Sequence, residues 1–389
     1  MTDQSHWLPL SATNIQAAHA VIRPHVHTTP VLTCRTLNRL ASTPQSADSL
    51  RGTPFEGRTP ASPKINLFFK CENLQKIGAF KARGAFHALL RLCDCLGVEE
   101  VRKRGVVTHS SGNHAQAVAL AAATLQIPAY IVMPRISTPS KIAGTQSHGA
   151  KVIFSGSTSQ EREEVVKHVI DDTGAILVPP YDHPDIILGQ GTVGLELEQQ
   201  VKELVQDNPG LSVHVDVAGK NAMLDAVITP LGGGGLNSGV ATWFSSAEKS
   251  ESSGKTLVFG AEPSYQGADD CCRSLAAGAL ITSVSSLTIA DGLRTPVGAI
   301  PWSVISNPEK VRGVYAVTEE QIKAAMRLVL ERMKVVVEPS AVVGLAVILF
   351  NEDFRALVEK ESGKEGWDIG VVFSGGNTSV EAIRELFST

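Results

Sequence analysis

From residue 105 the chain keeps one rhythm: GVVTHS, AYIVMP, KVIFSG and ILVPP are short apolar runs separated by GNHAQAVALAAATL, PSKIAGTQSHG and SQEREEVVKHVIDDTG. Short apolar strands alternating with longer helical stretches define βαβ units. Such units build a parallel sheet, because each helix carries the chain back to the end where the next strand starts. A second series follows, with GTVGLELEQQVKELVQD as helix, LDAVITPL as strand, GLNSGVATWFSSA as helix and TLVFGAEP as strand. VYAVT and DIGVVFSGG read as further strands, EEQIKAAMRLVLERM and SAVVGLAVILFNE as helices. The expected fold class is α/β with two lobes, and a cleft between lobes is where ligands usually bind. No period of solenoid length is present.

Ahead of these series, Ser11 or Thr13 is placed to cap an Ala-rich helix over residues 10–23, and HTTPVLT (27–33) reads as extended. Residues 41–64 (ASTPQSADSLRGTPFEGRTPASPK) are rich in Ser, Thr, Pro and Gly without periodicity, so a surface loop open to disorder is expected. The stretches near 209–222 and 246–253 read as polar loop insertions.

Composition narrows the partners. Lys and Arg total 35 against 39 Asp and Glu, a net charge of −4, which argues against nucleic acid or an anionic membrane surface. The six cysteines form no CxxC pair, so free thiols in a reducing cytoplasm are expected. The first ten residues, MTDQSHWLPL, lack the basic and apolar segments of a signal peptide, and no apolar run is long enough to span a bilayer. The expected partner is a small molecule.

Five places carry chemistry. In LFFKCENLQKIGAFKARGAFHALL (67–90) a strand passes through a loop into a helix whose apolar face is Phe86, Leu89, Leu90 and Cys93. Lys81 falls at or just before that helix N-terminus. The positive end of the helix disfavours a charged lysine, and desolvation lowers its pKa further, so the amine becomes a nucleophile. Taken alone, the same lysine is a solvated loop residue. Gly232, Gly233, Gly234 and Gly235 join a strand to a helix, where converging backbone N–H groups cradle an anion such as a phosphate monoester. The run is neither GxGxxG nor GxxxxGK[ST], so dinucleotide and nucleoside triphosphate sites do not fit. Ser110, Ser111, Gly112, Asn113 and His114 make a similar junction, read either as a carboxylate site or as a simple N-cap. Ser374-Gly375-Gly376-Asn377 follows a strand and is either a plain turn or a hydroxyl aimed into the cleft. Glu262 and Asp270 with a carbonyl between them suit a hard cation.

Together these stretches resemble the fold type II pyridoxal-phosphate enzymes of the serine racemase and serine/threonine dehydratase family. The carrying motifs, in family order, are HTTPVLT (27–33), FFKCENLQKIGAFKARGA (68–85), THSSGNHAQA (108–117), GQGT (189–192), LGGGGL (231–236), EP and ADD (262–270), IADG (289–292), ERMKVVVEPSA (331–341) and SGGN (374–377). PPYDHPDIILGQGT (179–192) is most similar to the eukaryotic racemase and hydroxyaspartate ammonia-lyase branch. The resemblance implies parallel or mixed sheets flanked by helices, with a small domain (104–181) inserted in a large cofactor domain (1–103 and 182–389). It implies that Lys81 holds pyridoxal 5'-phosphate as a Schiff base, with Phe80 near the ring and Asn113 on its 3′ oxygen. Gly232 to Leu236 would cradle the phosphate, and Ser374 would meet the pyridine nitrogen. Lys81 and Ser111 would serve the two faces of the substrate Cα. Ser110 to His114 and Arg162 would bind substrate. Glu262, the Ala268 carbonyl and Asp270 would hold Mg²⁺, or Ca²⁺ or Mn²⁺ in its place.

Three positions depart from the family pattern: the extra Gln266-Gly267, Tyr181 where mammalian racemases have asparagine, and Thr378-Ser379 after SGGN. With no regulatory domain expected after SGGN, the chain is similar to the catabolic form. The leading expectation is a homodimeric dehydratase or ammonia-lyase acting on L-serine, L-threonine or 3-hydroxyaspartate. Serine racemisation is the alternative, since both reactions begin at Cα. A β-replacement synthase is remoter, because its lysine motif differs from GAFKARG. A catalytically dead ligand-binding relative is countered by the intact motifs.

Overall fold

A computed structural model describes residues 6–110, 112–135, 139–156, 159–214, 223–246 and 255–388. Among the described residues ten strands fall in two sheets. The larger sheet is built from β1 (Val31–Thr33), β2 (Ile65–Cys71), β7 (Ala226–Pro230), β8 (Leu257–Pro263), β9 (Gly313–Val317) and β10 (Trp367–Phe373), in the order β1-β2-β10-β7-β8-β9. Only β1 runs antiparallel, on the edge beside β2. β10 sits at the centre, its Ile369 level with Leu67 of β2 and Ala226 of β7. The smaller sheet, β5-β4-β3-β6, is parallel throughout and consists of β3 (Val106–His109), β4 (Ala129–Pro134), β5 (Lys151–Ser155) and β6 (Ile176–Leu177). The expected α/β class with two helix-flanked sheets is the observed one.

Both faces of the larger sheet are covered, so its strands read as continuous apolar runs. Every residue of β7 and β10 is buried. Helix Val343–Phe350, apolar all round, lies within the core on one face. On the other face lies helix Pro184–Asp207, whose glycines decide how closely its neighbours approach. A Cβ on Gly189 would stand 2.7 Å from Gly84 Cα, and one on Gly239 would stand 2.6 Å from Gly191 N. Helices Lys81–Leu96 and Gly235–Phe244 therefore cross helix Pro184–Asp207 backbone to backbone. The GQGT stretch is in this way a packing motif that sets two site-bearing helices against one support.

Residues 41–64 are ordered against the core, in contrast to the open surface loop expected from their composition. Leu50, Phe55 and Ala61 are buried. Arg355, fully buried, donates to the carbonyls of Ala41 (2.7 Å), Thr43 (2.8 Å) and Ala61 (3.1 Å), and Glu352 accepts from Ala61 N at 2.8 Å. One guanidinium thus fastens both ends of the segment, a long-range restraint that local composition does not report. Arg355→Leu is expected to leave those carbonyls unpaired and open the segment to limited proteolysis within 43–61, read as a first cleavage there before any elsewhere.

Candidate active site

The loops at the C-terminal ends of β2, β3, β7 and β10 meet where a doubly wound sheet places its ligands. Lys81 is the first residue of helix Lys81–Leu96. Its Nζ donates to Pro180 O at 2.8 Å and stands 5.3 Å from the Phe80 ring centre. Among the described residues no carboxylate pairs with this amine, and burial lowers its pKa to about 8. Phe80 N donates to Ser374 O at 3.1 Å and Gly376 N to Gly78 O at 2.9 Å, so the SGGN turn is clamped to the loop that presents Lys81.

The anchorage of this helix lies beneath Lys81 and was not assigned from the sequence. The Arg83 guanidinium forks to Glu72 (Nε to Oε2 2.8 Å, Nη2 to Oε1 2.8 Å) and to Glu196 (Nη1 to Oε1 2.8 Å, Nη2 to Oε2 2.7 Å). Lys70 Nζ completes the set, 2.8 Å from Glu196 Oε2 and 2.7 Å from Thr29 O. Burial pushes the Glu196 carboxyl up, but hydrogen bonds from His19 and Arg83 outweigh it and hold the group well below the usual carboxylate range. Two cations and two carboxylates balance, as a buried network requires. Lys70 inside the apolar run LFFKC was the available sequence signal, since a charge between buried neighbours needs a partner.

The tetraglycine run lies beside Lys81 through one shared segment. Pro180 accepts from Lys81, while the next residue, Tyr181, packs so closely that a Cβ on Gly233 would meet its ring at 2.3 Å. Gly234 has φ +88°, where a Cβ would also meet Pro301 Cβ at 2.7 Å, so only glycine fits. Gly235 and Leu236 open helix Gly235–Phe244, whose first-turn N–H groups lack intrahelical partners. This cradle fits a phosphate.

Ser110 Oγ accepts from Gly112 N at 3.3 Å, and a Cβ at Gly112 would touch nothing within 4 Å, so the SSGNH turn borders open space. Ser111 lies outside the described residues. The N-cap is Gly112, without a side-chain cap, and neither Ser nor Asn takes that role. Asn113 instead reaches across to the other sheet's loops. Its Nδ2 donates to Glu338 Oε1 at 2.9 Å and its Oδ1 accepts from Asn377 Nδ2 at 2.8 Å. Glu338 Oε2 in turn accepts from Asn377 N at 3.1 Å. Burial first, then the charge of Asp291, raise the Glu338 carboxyl to about 7. Glu338 and Asn377 are thus site residues that the motifs contained without marking. His114 is buried with Nε2 3.2 Å from Val178 O, and burial followed by the charge of Lys81 lowers it to about 3, so its ring is neutral. Ser374 is buried just past the end of β10. Arg162, in helix Ser159–Thr173, lies close enough to His109, at the end of β3, for its charge to depress that imidazole after burial does.

Glu262 and Asp270 form a separate pair at the end of β8 and the start of helix Asp270–Ala277. Glu262 accepts from Cys271 N (3.0 Å) and Cys272 N (2.9 Å). Burial, then the charge of Asp270, raise Glu262 to about 8, and burial raises Asp270 to about 6. Two neighbouring buried carboxylates, neither of them in an ion pair among the described residues, are suited to a hard divalent ion. Ala268 is buried beside them in sequence. All six cysteines are free, and no helix among the described residues is long and apolar enough to cross a membrane.

A buried amine without a counter-ion, a glycine cradle and a polar turn bordering open space are what pyridoxal phosphate needs: a covalent anchor, a phosphate site and room for an amino acid. The comparisons agree. The family model "Pyridoxal-phosphate dependent enzyme" matches residues 48–375. The serine racemase of Arabidopsis thaliana is 40% identical over 376 residues, covering 97% of this chain and 96% of that protein. Maize serine racemase superposes with a TM-score of 0.76 at 37% identity, covering 96% of each chain. The T.th. threonine deaminase does so with a TM-score of 0.72 at 34% identity, covering 95% of this chain and 99% of that one. The chain therefore belongs to the pyridoxal-phosphate dependent enzyme family, as a racemase or lyase of the serine racemase and threonine deaminase kind.

Proposed function

We propose that this protein interconverts the enantiomers of serine and, as a companion reaction, removes water and ammonia from serine. The observation that carries the reading is 40% identity to a serine racemase across 97% of the chain. It favours racemisation over the dehydratase reading that the motifs put first. The likeness to threonine deaminase keeps elimination as the companion. The two separate sheets support a division into 1–103 with 182–389 and 104–181.

Bound pyridoxal phosphate supplies the electron sink that makes a Cα proton removable. The chain supplies the rest. Lys81 would anchor the cofactor through Nζ and, once free, act as a general base at Cα, which its lowered pKa favours. Gly232, Gly233, Gly234, Gly235 and Leu236 would hold the phosphate, Phe80 and Asn113 the ring, and Ser374, a neutral hydroxyl, the pyridine nitrogen. Ser111 is the proposed proton carrier on the opposite face. The backbone of Ser110 to His114 would bind the substrate carboxylate, with Arg162 at the rim. Glu262, Ala268 and Asp270 would bind Mg²⁺. A homodimer is the proposed assembly.

The test is a panel of D- and L-serine, L-threonine and 3-hydroxyaspartate, with and without Mg²⁺, scoring enantiomer and keto acid separately. Formation of D-serine from L-serine and the reverse is expected. Keto acid alone from every substrate would return the assignment to the dehydratase. Mg²⁺ is expected to raise the melting temperature, an effect lost in Glu262→Gln.

The raised Glu338 carboxyl gives a pH prediction with a definite sign. The groups facing it are Asp291, Asn113, Asn377 and Lys141. Its folded value, about 7, exceeds that of the unfolded chain, so between about pH 4.5 and 7 the folded state holds a proton that the unfolded state has lost. Its contribution is fully present below that window and disappears as pH rises through about 7. Urea midpoints taken from pH 5 to 8 are expected to decline, and Glu338→Gln to flatten that decline.

A further inference from the structure

At the N-terminal ends of two central strands of the larger sheet, a second cluster has the make-up of a metal site. Asp225 immediately precedes β7 and Asp368 is the second residue of β10. These strands are neighbours, so the two aspartates lie side by side, with Asp225 N donating to Asp368 O at 2.9 Å. Asp225 Oδ2 accepts from Asp368 N at 2.7 Å, and His214 Nε2 stands 2.9 Å from the same oxygen. One donor atom from each of His214, Asp225 and Asp368 lies within 4.8 Å of the other two. The carboxylates are already oriented by outer partners. Asp368 Oδ2 accepts from Ser212 Oγ at 2.5 Å and Oδ1 from Val213 N at 3.0 Å, the kind of support that fixes metal ligands.

The charge balance points the same way. Asp368 is 2% exposed, and among the described residues neither aspartate is paired with a lysine or arginine; the imidazole of His214 pairs with Asp225. This contrasts with the Lys70, Glu72, Arg83 and Glu196 network, where each buried carboxylate has its cation. Among the described residues, these two adjacent carboxylates face one imidazole and no lysine or arginine side chain.

We infer that His214, Asp225 and Asp368 bind one first-row divalent ion of the zinc type. One imidazole nitrogen with two carboxylate oxygens is a borderline donor set that suits Zn²⁺ or Co²⁺, whereas Mg²⁺ prefers oxygen ligands alone. Tetrahedral zinc with bonds of roughly 2.1 Å holds its donors about 3.4 Å apart, so binding draws the farthest pair, within 4.8 Å of one another, together by no more than about 1.4 Å. His214 and Asp225 keep side-chain exposures of 29% and 23%, which leaves an entry path and room for a water in the fourth position. The exchange balances with the ion on His214 Nε2 and the ring's one remaining proton on Nδ1, any second proton passing to solvent. The ion clips residues 212–214 to the first residues of two central strands, far from the reacting groups, and its role is structural.

The test uses the full chain loaded with pyridoxal phosphate, stripped of metals by a chelator and held in millimolar Mg²⁺ to occupy the Glu262 and Asp270 site. On titration with Zn²⁺, one equivalent per chain and a raised melting temperature are expected. His214→Gln and Asp225→Asn are each expected to weaken uptake at least tenfold, and Glu262→Gln to leave it unchanged. Zinc-edge X-ray absorption of the unaltered protein is expected to show an imidazole and oxygen shell, a readout independent of whether the variants fold. No uptake in the presence of Mg²⁺, uptake that survives His214→Gln, or a sulfur shell from the free cysteines would each overturn the site.

Discussion

Lys81→Ala is expected to abolish turnover while the protein stays folded. Acid–base action at Cα is worth about 10²–10⁴-fold by itself, and this variant also removes the proposed covalent anchor, so a loss of at least about 10³-fold is expected. Stability should be nearly unchanged, because among the described residues the buried amine has the Pro180 carbonyl as its one hydrogen-bond partner and its removal strands no carboxylate. The measurements are keto acid and enantiomer assays, the near-visible absorbance of bound cofactor, and peptide mapping after borohydride reduction. Reduction is expected to label Lys81 in the unaltered protein and no lysine in the variant. Label on another lysine would move the anchor elsewhere.

Arg83→Met is expected to be the most damaging substitution for stability, costing about 3–5 kcal/mol. Arg83 is fully buried and makes five hydrogen bonds, four to carboxylates and one to Thr192 Oγ1 at 3.2 Å. Methionine fills much of the space and answers none of the charge, so Glu196 keeps Lys70 and His19, while Glu72 keeps the Thr29 hydroxyl and a Lys70 amine 4.0 Å away. Adding Glu72→Gln to Arg83→Met removes one of the stranded charges and should recover part of the loss, a coupling that a double-mutant cycle in urea would measure. Because Arg83 stands two residues after Lys81 on the same helix, cofactor retention should weaken alongside stability. Strictly additive losses would mean that the network does not anchor the helix.

What could be read in the sequence and what could not divide along physical lines. Strand and helix alternation, the Lys81 junction and the glycine run are local: each is a pattern of neighbours in the chain, and each appears where its pattern put it. The links between loops are not local. Glu338 lies 225 residues from Asn113, and Arg355 lies 314 from Ala41, and no spacing rule connects such pairs. The ordered 41–64 segment shows the same point in reverse: its composition describes a solvated loop, whereas one buried arginine from a distant helix decides its structure. The choice between racemisation and elimination has a third cause. In the proposed scheme both reactions would use the same amine and the same cofactor, so the choice would depend on groups around the substrate, with Ser111 proposed among them, and not on the motifs that identify the family.

The most direct test of the proposed activity is incubation of the cofactor-loaded protein with L-serine in deuterium oxide, followed by chiral separation and mass analysis. The proposal predicts D-serine carrying deuterium at Cα, accompanied by keto acid. Keto acid with no D-serine, or D-serine that retains the original Cα hydrogen, would contradict it.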